Sequence, residues 1–228
     1  MISHLSKLTV IGILCLSASV FAEDREWMPL NKLSSVIYLD KFYAAPLAQR
    51  DKVRARGVLV PQNKAIKPSD VVLTIAHAAG NERIPLGADG SFELNPSAKA
   101  VQENPMVFTN MPKGEKAGMG INMFAALPVH ATQFSYKALM GGVPQANALI
   151  KSQAGMLSLF VPTLTGVLVR FTKPGPHTLS IVSKSGTKTL TTDAKGQIAL
   201  KLDEALLAEN PMVTASEPVL EAEIDAVK

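Results

Sequence analysis

The chain has 228 residues, 47% of them hydrophobic, which suits one large domain or two small ones. Its net charge of +4 is a mild excess and does not predict a nucleic-acid-binding protein. The single cysteine excludes a framework of intramolecular disulfides.

The N-terminus is typical of a secretory signal peptide. Lys7 precedes an apolar run, residues 8–16, and small or β-branched residues lead up to Ala22. The run is too short for a membrane span, which needs about 20 residues. Cys15 lies inside the run after a large residue, so we do not expect lipidation. We predict cleavage near Ala22, a periplasmic or secreted mature protein, and no membrane span.

The segment after the cleavage site, residues 23–50, is predicted to be helical. Leu30, Leu33, Ile37 and Tyr38 recur at helical spacing. This spacing indicates a short amphipathic helix that packs on the β unit that follows.

An internal repeat covers much of the remaining chain. Residues 67–112 align without a gap on residues 173–218, 106 positions later, and 14 of the 46 aligned pairs are identical. Glu103–Val107 matches Glu209–Val213 in full. Identity at this level and fixed spacing indicates a duplicated unit.

A second match lies upstream of the first. Gly57–Val60 resembles Gly166–Val169, with three residues fewer in the following loop of the second copy. Loops tolerate such changes in length, so we align these two segments as equivalent strands.

Each copy is predicted to be mainly β. Apolar and polar residues alternate in short runs between glycine-containing turns, followed by a short helix for which Ser97 and Asp203 are the expected N-caps. We expect positive φ at the shared turn glycines and an extended backbone at the shared Asn-Pro pairs. The pattern predicts two tandem Greek-key β-sandwich-like repeats, resembling immunoglobulin-like or transthyretin-like modules, joined by an amphipathic helix.

The joining helix is predicted to run from Pro144 to Phe160, with one charged residue, Lys151, and apolar residues at helical spacing. Such a helix needs an apolar partner: the seam between the units, a second protein or a membrane surface. The predicted organisation is then a signal peptide (1–22), an N-terminal helical segment (23–50), a first β unit (51–128), a helical connector (129–162) and a second β unit (163–228).

No residue pattern predicts a catalytic, cofactor or metal site. His77, His130 and His177 are scattered, and neither His77 nor His177 has a histidine at the matching position of the other copy. Met111, Met119 and Met123 with His130 suit a copper(I) ion chemically, but Met119 and Met123 share a strand face with Ile121, which favours core packing.

Two further motifs have structural explanations. Ser185 and Lys188 match the Ser-x-x-Lys pattern of penicillin-recognising enzymes but lie in a predicted hairpin turn, not at a helix start. Basic residues are dense between Arg50 and Lys67, and Lys52, Arg54 and Arg56 share a strand face. That face indicates either a contact for acidic headgroups or partners, or an edge strand protected by charge; we favour the edge strand.

One stretch resembles a known family. Gly155-Met156-Leu157-Ser158, followed by Phe160, Pro162, Gly166-Val167 and Phe171, is similar to a segment of short, exported proteobacterial proteins of unknown function. The resemblance extends loosely from Leu30 to Phe171. It implies a location in the cell envelope and no known activity.

These observations favour a non-enzymatic, exported binding or structural protein of the bacterial envelope, with an envelope protein or polymer as partner and no nucleic acid. Tandem sandwiches without polar clusters are common as interaction modules, which is an argument from fold analogy. Two alternatives stay open: a small-molecule or lipid carrier with its site between the units, and an envelope hydrolase with a dispersed active site. The pattern predicts no oligomeric state.

Overall fold

The computed structural model describes residues 24–78, 80–95, 97–154 and 162–227. The predicted signal peptide and the predicted end of the connecting helix, residues 155–160, lie outside these ranges.

The described part of the first half contains seven strands and three α-helices. The strands are β1 (Arg25–Pro29), β2 (Val53–Pro61), β3 (Val72–His77), β4 (Gly80–Pro85), β5 (Ser91–Phe92), β6 (Met106–Thr109) and β7 (Ala117–Ala125). The helices are α1 (Leu30–Val36), α2 (Leu39–Ala44) and α3 (Ala98–Glu103).

The described part of the second half has the same number of each. The strands are β8 (Gln133–Ser135), β9 (Gly166–Phe171), β10 (Thr178–Ser183), β11 (Gly186–Thr191), β12 (Gln197–Lys201), β13 (Met212–Ala215) and β14 (Val219–Asp225). The helices are α4 (Tyr136–Met140), α5 (Gly142–Ala154) and α6 (Glu204–Glu209).

The strands form three antiparallel sheets, which confirms the predicted mainly β class. Two four-stranded sheets, β1-β6-β3-β4 and β11-β10-β13-β8, each belong to one half. The third sheet has six strands in the order β12-β9-β14-β7-β2-β5, three from each half. The halves meet at β7 and β14, where Glu223 is paired with Phe124. We call the boundary between β7 and β14 the seam.

Helix α5 lies against the inner face of the six-stranded sheet. It contacts β2, β7 and β14, so it crosses the seam. Val143, Ala146 and Leu149 are buried in the larger of the two hydrophobic cores. Of the three partner surfaces that the sequence left open, the described part of this helix therefore packs on the seam.

The predicted N-terminal helix is two helices. Leu30, Leu33 and Ile37 are buried, as their spacing predicts. Tyr38, however, has a φ of 61° and is 61% exposed, and it separates α1 from α2. A left-handed residue cannot continue a right-handed helix, so the apolar stripe ends at Ile37.

A set of contacts anchors the start of α1 to the loop after α3. The Leu30 N–H donates to the Pro105 carbonyl at 2.9 Å, and the Asn31 N–H donates to Asn104 Oδ1 at 2.9 Å. Both satisfy N–H groups that the first turn of a helix leaves without an intrahelical acceptor.

The same contacts occur 106 residues further along. The Tyr136 N–H donates to the Pro211 carbonyl at 2.8 Å, and the Lys137 N–H donates to Asn210 Oδ1 at 2.8 Å. Helix α4 therefore starts as α1 does, and residues in the segment predicted as a connector make the contacts that the N-terminal segment makes.

The expected extended backbone at the Asn-Pro pairs is wrong. Asn104 and Asn210 have φ values of 46° and 56°, in the left-handed region. Each asparagine ends a helix there, because asparagine tolerates this conformation. The turn also aims each amide side chain at the helix start described above.

The predicted caps and turn glycines are confirmed. Ser97 Oγ accepts from the Ala100 N–H at 3.1 Å, and Asp203 Oδ1 accepts from the Leu206 N–H at 3.1 Å. The glycines at the four shared turn positions have positive φ: Gly80, Gly90, Gly186 and Gly196.

The alignment of Gly57 with Gly166 differs from the strand register. Gly57 is paired with Phe92, whereas Ile198, which lies 106 residues after Phe92, is paired with Val169. By strand register, the counterpart of Gly57 in the second half is therefore Val169, which lies three residues after Gly166. Each glycine allows a close approach by a different group. A Cβ at Gly57 would lie 2.4 Å from the Phe92 ring, and a Cβ at Gly166 would lie 2.1 Å from the Leu200 carbonyl oxygen.

Candidate functional site

The structure separates the three histidines. His77 ends β3, His130 lies in the loop between β7 and β8, and His177 precedes β10. The His177 ring packs on Phe171 at 4.9 Å, and its Nε2 lies 2.9 Å from the Lys173 carbonyl oxygen. Within the described ranges, no group of three His, Cys, Asp or Glu side chains could hold a metal ion.

The methionines belong to the hydrophobic interior. Met111 is 2% exposed, in the core of the first half. Met119 and Met123 are half-buried and pack on the two cores from the inner face of β7.

The Ser-x-x-Lys motif lies in the β10–β11 hairpin, as predicted. Ser185 Oγ is 2.9 Å from Ser183 Oγ in the turn, and Lys188 is a residue of β11. The serine is therefore not at the start of a helix, where penicillin-recognising enzymes place theirs.

The basic strand is the second strand from one edge of the six-stranded sheet. Strand β2 pairs with β7 over nine residues and with β5 at Gly57 and Val58. Arg54 and Arg56 alternate with residues that face the core, so both side chains lie on the outer face of the six-stranded sheet. Because β5 pairs only with Gly57 and Val58, the stretch of β2 that contains Arg54 and Arg56 has no second strand partner among the described residues, and protection of an edge by charge stays a prediction.

Arg56 belongs to a group of paired charges that crosses the seam. We call the following residues the seam cluster: Arg56, Asn122, Arg170, Glu221 and Glu223. The Arg56 Nη1 lies 2.7 Å from Glu221 Oε2, and the Arg170 Nη1 lies 2.5 Å from Glu221 Oε1. The Arg170 Nη2 lies 3.0 Å from Glu223 Oε2, and Asn122 Nδ2 donates to Glu223 Oε1 at 3.0 Å.

An aromatic ring lies beneath the cluster. Phe124 is 2% exposed although it is on the outer face of β7, and the Arg56 guanidinium covers its ring at 4.7 Å. A cation over an aromatic face is an attractive arrangement, and the ring limits the access of water to the ion pairs.

Burial shapes the electrostatics of the cluster. It raises the pKa of Glu223, an effect that the nearby Arg170 only partly offsets. Burial also acts to lower the pKa of Arg170, but the hydrogen bond and charge of Glu221, together with Glu223, outweigh it, and the pKa is raised. The raised pKa of Arg170 and the raised pKa of Glu223 are compatible. Arg170 lies next to two carboxylates, whereas Glu223 lies near the like charges of Asp225 and Glu221 as well as near Arg170.

The arrangement suits a structural tie. Each charge of the cluster has a partner, and Arg56 and Asn122 of the first half hold Glu221 and Glu223 of the second. The cluster therefore links the two halves across the seam.

A groove of 240 Å³ is lined in part by Arg56 and Glu221 of the cluster and by Glu93. We call it the seam groove, and its lining includes Arg54, Pro128, Val129, His130 and Leu220. Val129 is 76% exposed and Leu220 55% exposed. The left-handed His130, with a φ of 56°, turns the chain at this point. The groove therefore brings two exposed apolar side chains close to an exposed arginine.

Sequence reasoning missed the seam cluster. Glu221 and Glu223 alternate with Ala222 and Ile224, a pattern that indicates a strand with one buried face. It does not indicate Arg56, 165 residues away, as the partner of Glu221.

The fold and the site together define a mainly β protein of three antiparallel sheets with a paired-charge seam. A family model described as a protein of unknown function (DUF2987) matches residues 61–171. The match starts at the last residue of β2 and ends at the last residue of β9, so it includes strands of both halves. It bears out the resemblance to an uncharacterised family.

The other comparisons add no relative. No curated protein matches the chain, and no solved structure matches it. Among the described residues, no helix has the length and apolarity that crossing a lipid bilayer requires.

Proposed function

We propose that this chain is an exported, non-enzymatic binding protein of the bacterial envelope that contacts a partner protein through the seam groove. The carrying observation is the exposure of Val129 and Leu220 next to the exposed Arg54 in one groove at the seam. A partner segment with apolar residues and an acidic residue would complement this lining.

The proposal includes export and duplication. The signal-like N-terminus supports delivery to the periplasm or the medium. The 14 identities at a spacing of 106 residues, together with the equivalent anchors of α1 and α4, support two tandem sandwich-like units. The carrier alternative needs space between the units beside α5, where Val143, Ala146 and Leu149 pack.

Site-specific photo-cross-linking in the native envelope tests the groove. We expect a photoreactive amino acid at position 129 to give an adduct with one envelope protein. The matched control is position 47, because Leu47 is 66% exposed but does not line the groove. Equal labelling from both positions, or no adduct from position 129 in correctly located protein, would contradict the proposed contact.

Mass determination of the mature protein tests export separately. We expect a chain that begins at Glu23 and is recovered from the periplasm or the medium. Recovery of a chain that still begins at Met1 from the cytoplasm would reject the envelope function, whatever the groove binds.

A further inference from the structure

The outer face of the second half's four-stranded sheet is rich in hydroxyl groups. Leu179, Ile181, Val213 and Ala215 point into the core. The alternate positions therefore point outward. We call these outward residues the hydroxyl face: Gln133, Ser135, Thr178, Ser180, Val182, Thr187, Thr189, Thr191, Met212 and Thr214.

Register arranges these side chains in rows across the strands. Thr189, Ser180, Thr214 and Gln133 are successive partners on β11, β10, β13 and β8. The row on one side is Thr187, Val182, Met212 and Ser135, and the other row contains Thr191 and Thr178. The two full rows span three strand spacings, about 14 Å, and the partial third row extends the face to about 13 Å along β10 and β11.

The hydroxyl face carries no formal charge. Its threonine hydroxyls make no hydrogen bond to other described residues, and each can donate and accept. Val182 and Met212 are 56% and 52% exposed and place an apolar strip in one row. The face therefore offers hydrogen bonds in both directions together with a small apolar contact.

The first half shows that the fold does not require this composition. At a spacing of 106 residues, Asn81, Arg83 and Pro85 stand where β11 has Thr187, Thr189 and Thr191, and Phe108 replaces Thr214. Thr74, the counterpart of Ser180, is covered, as its hydroxyl donates to Asp24 Oδ2 at 2.8 Å. Strand propensity alone would favour threonine equally in both halves.

We propose that the hydroxyl face binds an uncharged polysaccharide. Rows of donors and acceptors match the hydroxyl groups along such a polymer, and the strip of Val182 and Met212 matches the C–H face of a sugar ring. The absence of charge on this face disfavours an acidic polymer, which would require cations. That the polymer is part of the envelope rests on the proposed function, whereas the binding itself does not.

Co-sedimentation of the purified mature chain with chitin and with cellulose tests the inference. Replacing Thr187 and Thr189 with valine keeps shape and strand propensity but removes two hydroxyls. We expect the wild-type protein to pellet with at least one of the two polymers and the double variant to bind at least tenfold more weakly. The matched control replaces Asn81 and Arg83 with valine on β4, and it should bind like the wild type.

Thermal melting followed by circular dichroism establishes that each variant is folded. Failure of the folded wild-type protein to pellet with either polymer, or equal binding by the threonine variant, would overturn the proposal. A change of oligomeric state in the threonine variant without a change in pelleting would instead identify the face as a contact between copies, which also overturns it. Binding in vitro by a chain that is not exported would leave this inference standing and reject the envelope function.

Discussion

The two halves of this molecule share their helix anchors and turns and differ on their surfaces. In the first half β2 has nine residues, and a Cβ on Gly90 would lie 2.3 Å from the Leu59 carbonyl oxygen. In the second half β9 has six residues, and nothing lies within 4 Å of the corresponding position of Gly196. The helix anchors are kept, while strand length, the surroundings of the turn glycines and the outer side chains have changed. A function is therefore not expected to occur twice, once in each half.

The largest expected effect on stability is a difference between alanine substitutions at Gly166 and at Gly57. Gly166→Ala should lower the free energy of unfolding by about 3 kcal/mol, because the new methyl group meets the backbone carbonyl of Leu200. Gly57→Ala should cost about 1 kcal/mol, because it meets the side chain of Phe92, which can rotate.

Urea denaturation measures both changes. Gly118→Ala is the control, as the nearest atom is 3.9 Å from its Cβ, and its stability should change by less than about 0.5 kcal/mol. Equal costs at positions 57 and 166 would show that the two glycines are equivalent after all.

The next effect tests what the halves share. Asn104→Ala and Asn210→Ala should each cost about 2 kcal/mol, since each loses a helix anchor and places alanine in a left-handed conformation. The glycine variants tolerate that conformation and should cost less. Thermal melts of the four proteins provide the comparison, and a large loss at only one asparagine would contradict equivalent anchors.

A smaller effect belongs to the second half alone. The Tyr136 hydroxyl accepts from the Asp203 N–H at 3.0 Å, whereas Leu30 takes the equivalent place in α1. Tyr136→Phe should cost about 1 kcal/mol in urea denaturation because a backbone donor loses its acceptor. Tyr38→Phe, at a residue 61% exposed, should leave stability unchanged. An unchanged midpoint for Tyr136→Phe would show that water replaces the hydroxyl.

The smallest effect is a pH dependence at the seam. Because the pKa of Glu223 is raised in the folded protein, the folded state holds this proton more tightly than the unfolded chain does. This group therefore favours folding at low pH, and that contribution is lost as the pH rises through its folded pKa. Relative to Glu223→Gln, the wild-type protein should lose stability over that rise. A difference that grows in the opposite direction would show that Arg170 dominates burial.

Local signals in the sequence predicted much of the fold. Ser97 and Asp203 cap their helices, and the turn glycines have positive φ, because these preferences depend on a few neighbouring atoms. The prediction for the Asn-Pro pair was wrong because its conformation depends on a contact that is distant in sequence. The left-handed turn of Asn104 places its Oδ1 where it accepts from the Asn31 N–H.

The candidate site could not be predicted in the same way. Glu221 meets Arg56 only because β14 lies beside β7 in one shared sheet, and no local pattern specifies that neighbour. The predicted tandem arrangement, with one unit after another, did not anticipate a sheet built from three strands of each half. Pairing between strands so distant in sequence depends on the tertiary packing of the entire domain.

The shared sheet also determines how the chain can mature. During synthesis the N-terminal half emerges first and can pair β2 with β7, but β14, the last strand, arrives about a hundred residues later. Until then the far side of β7 presents open backbone groups to any passing strand. Two nascent chains could satisfy each other by exchanging β14, so dilution or a chaperone that shields β7 would favour pairing of β7 with β14 of the same chain.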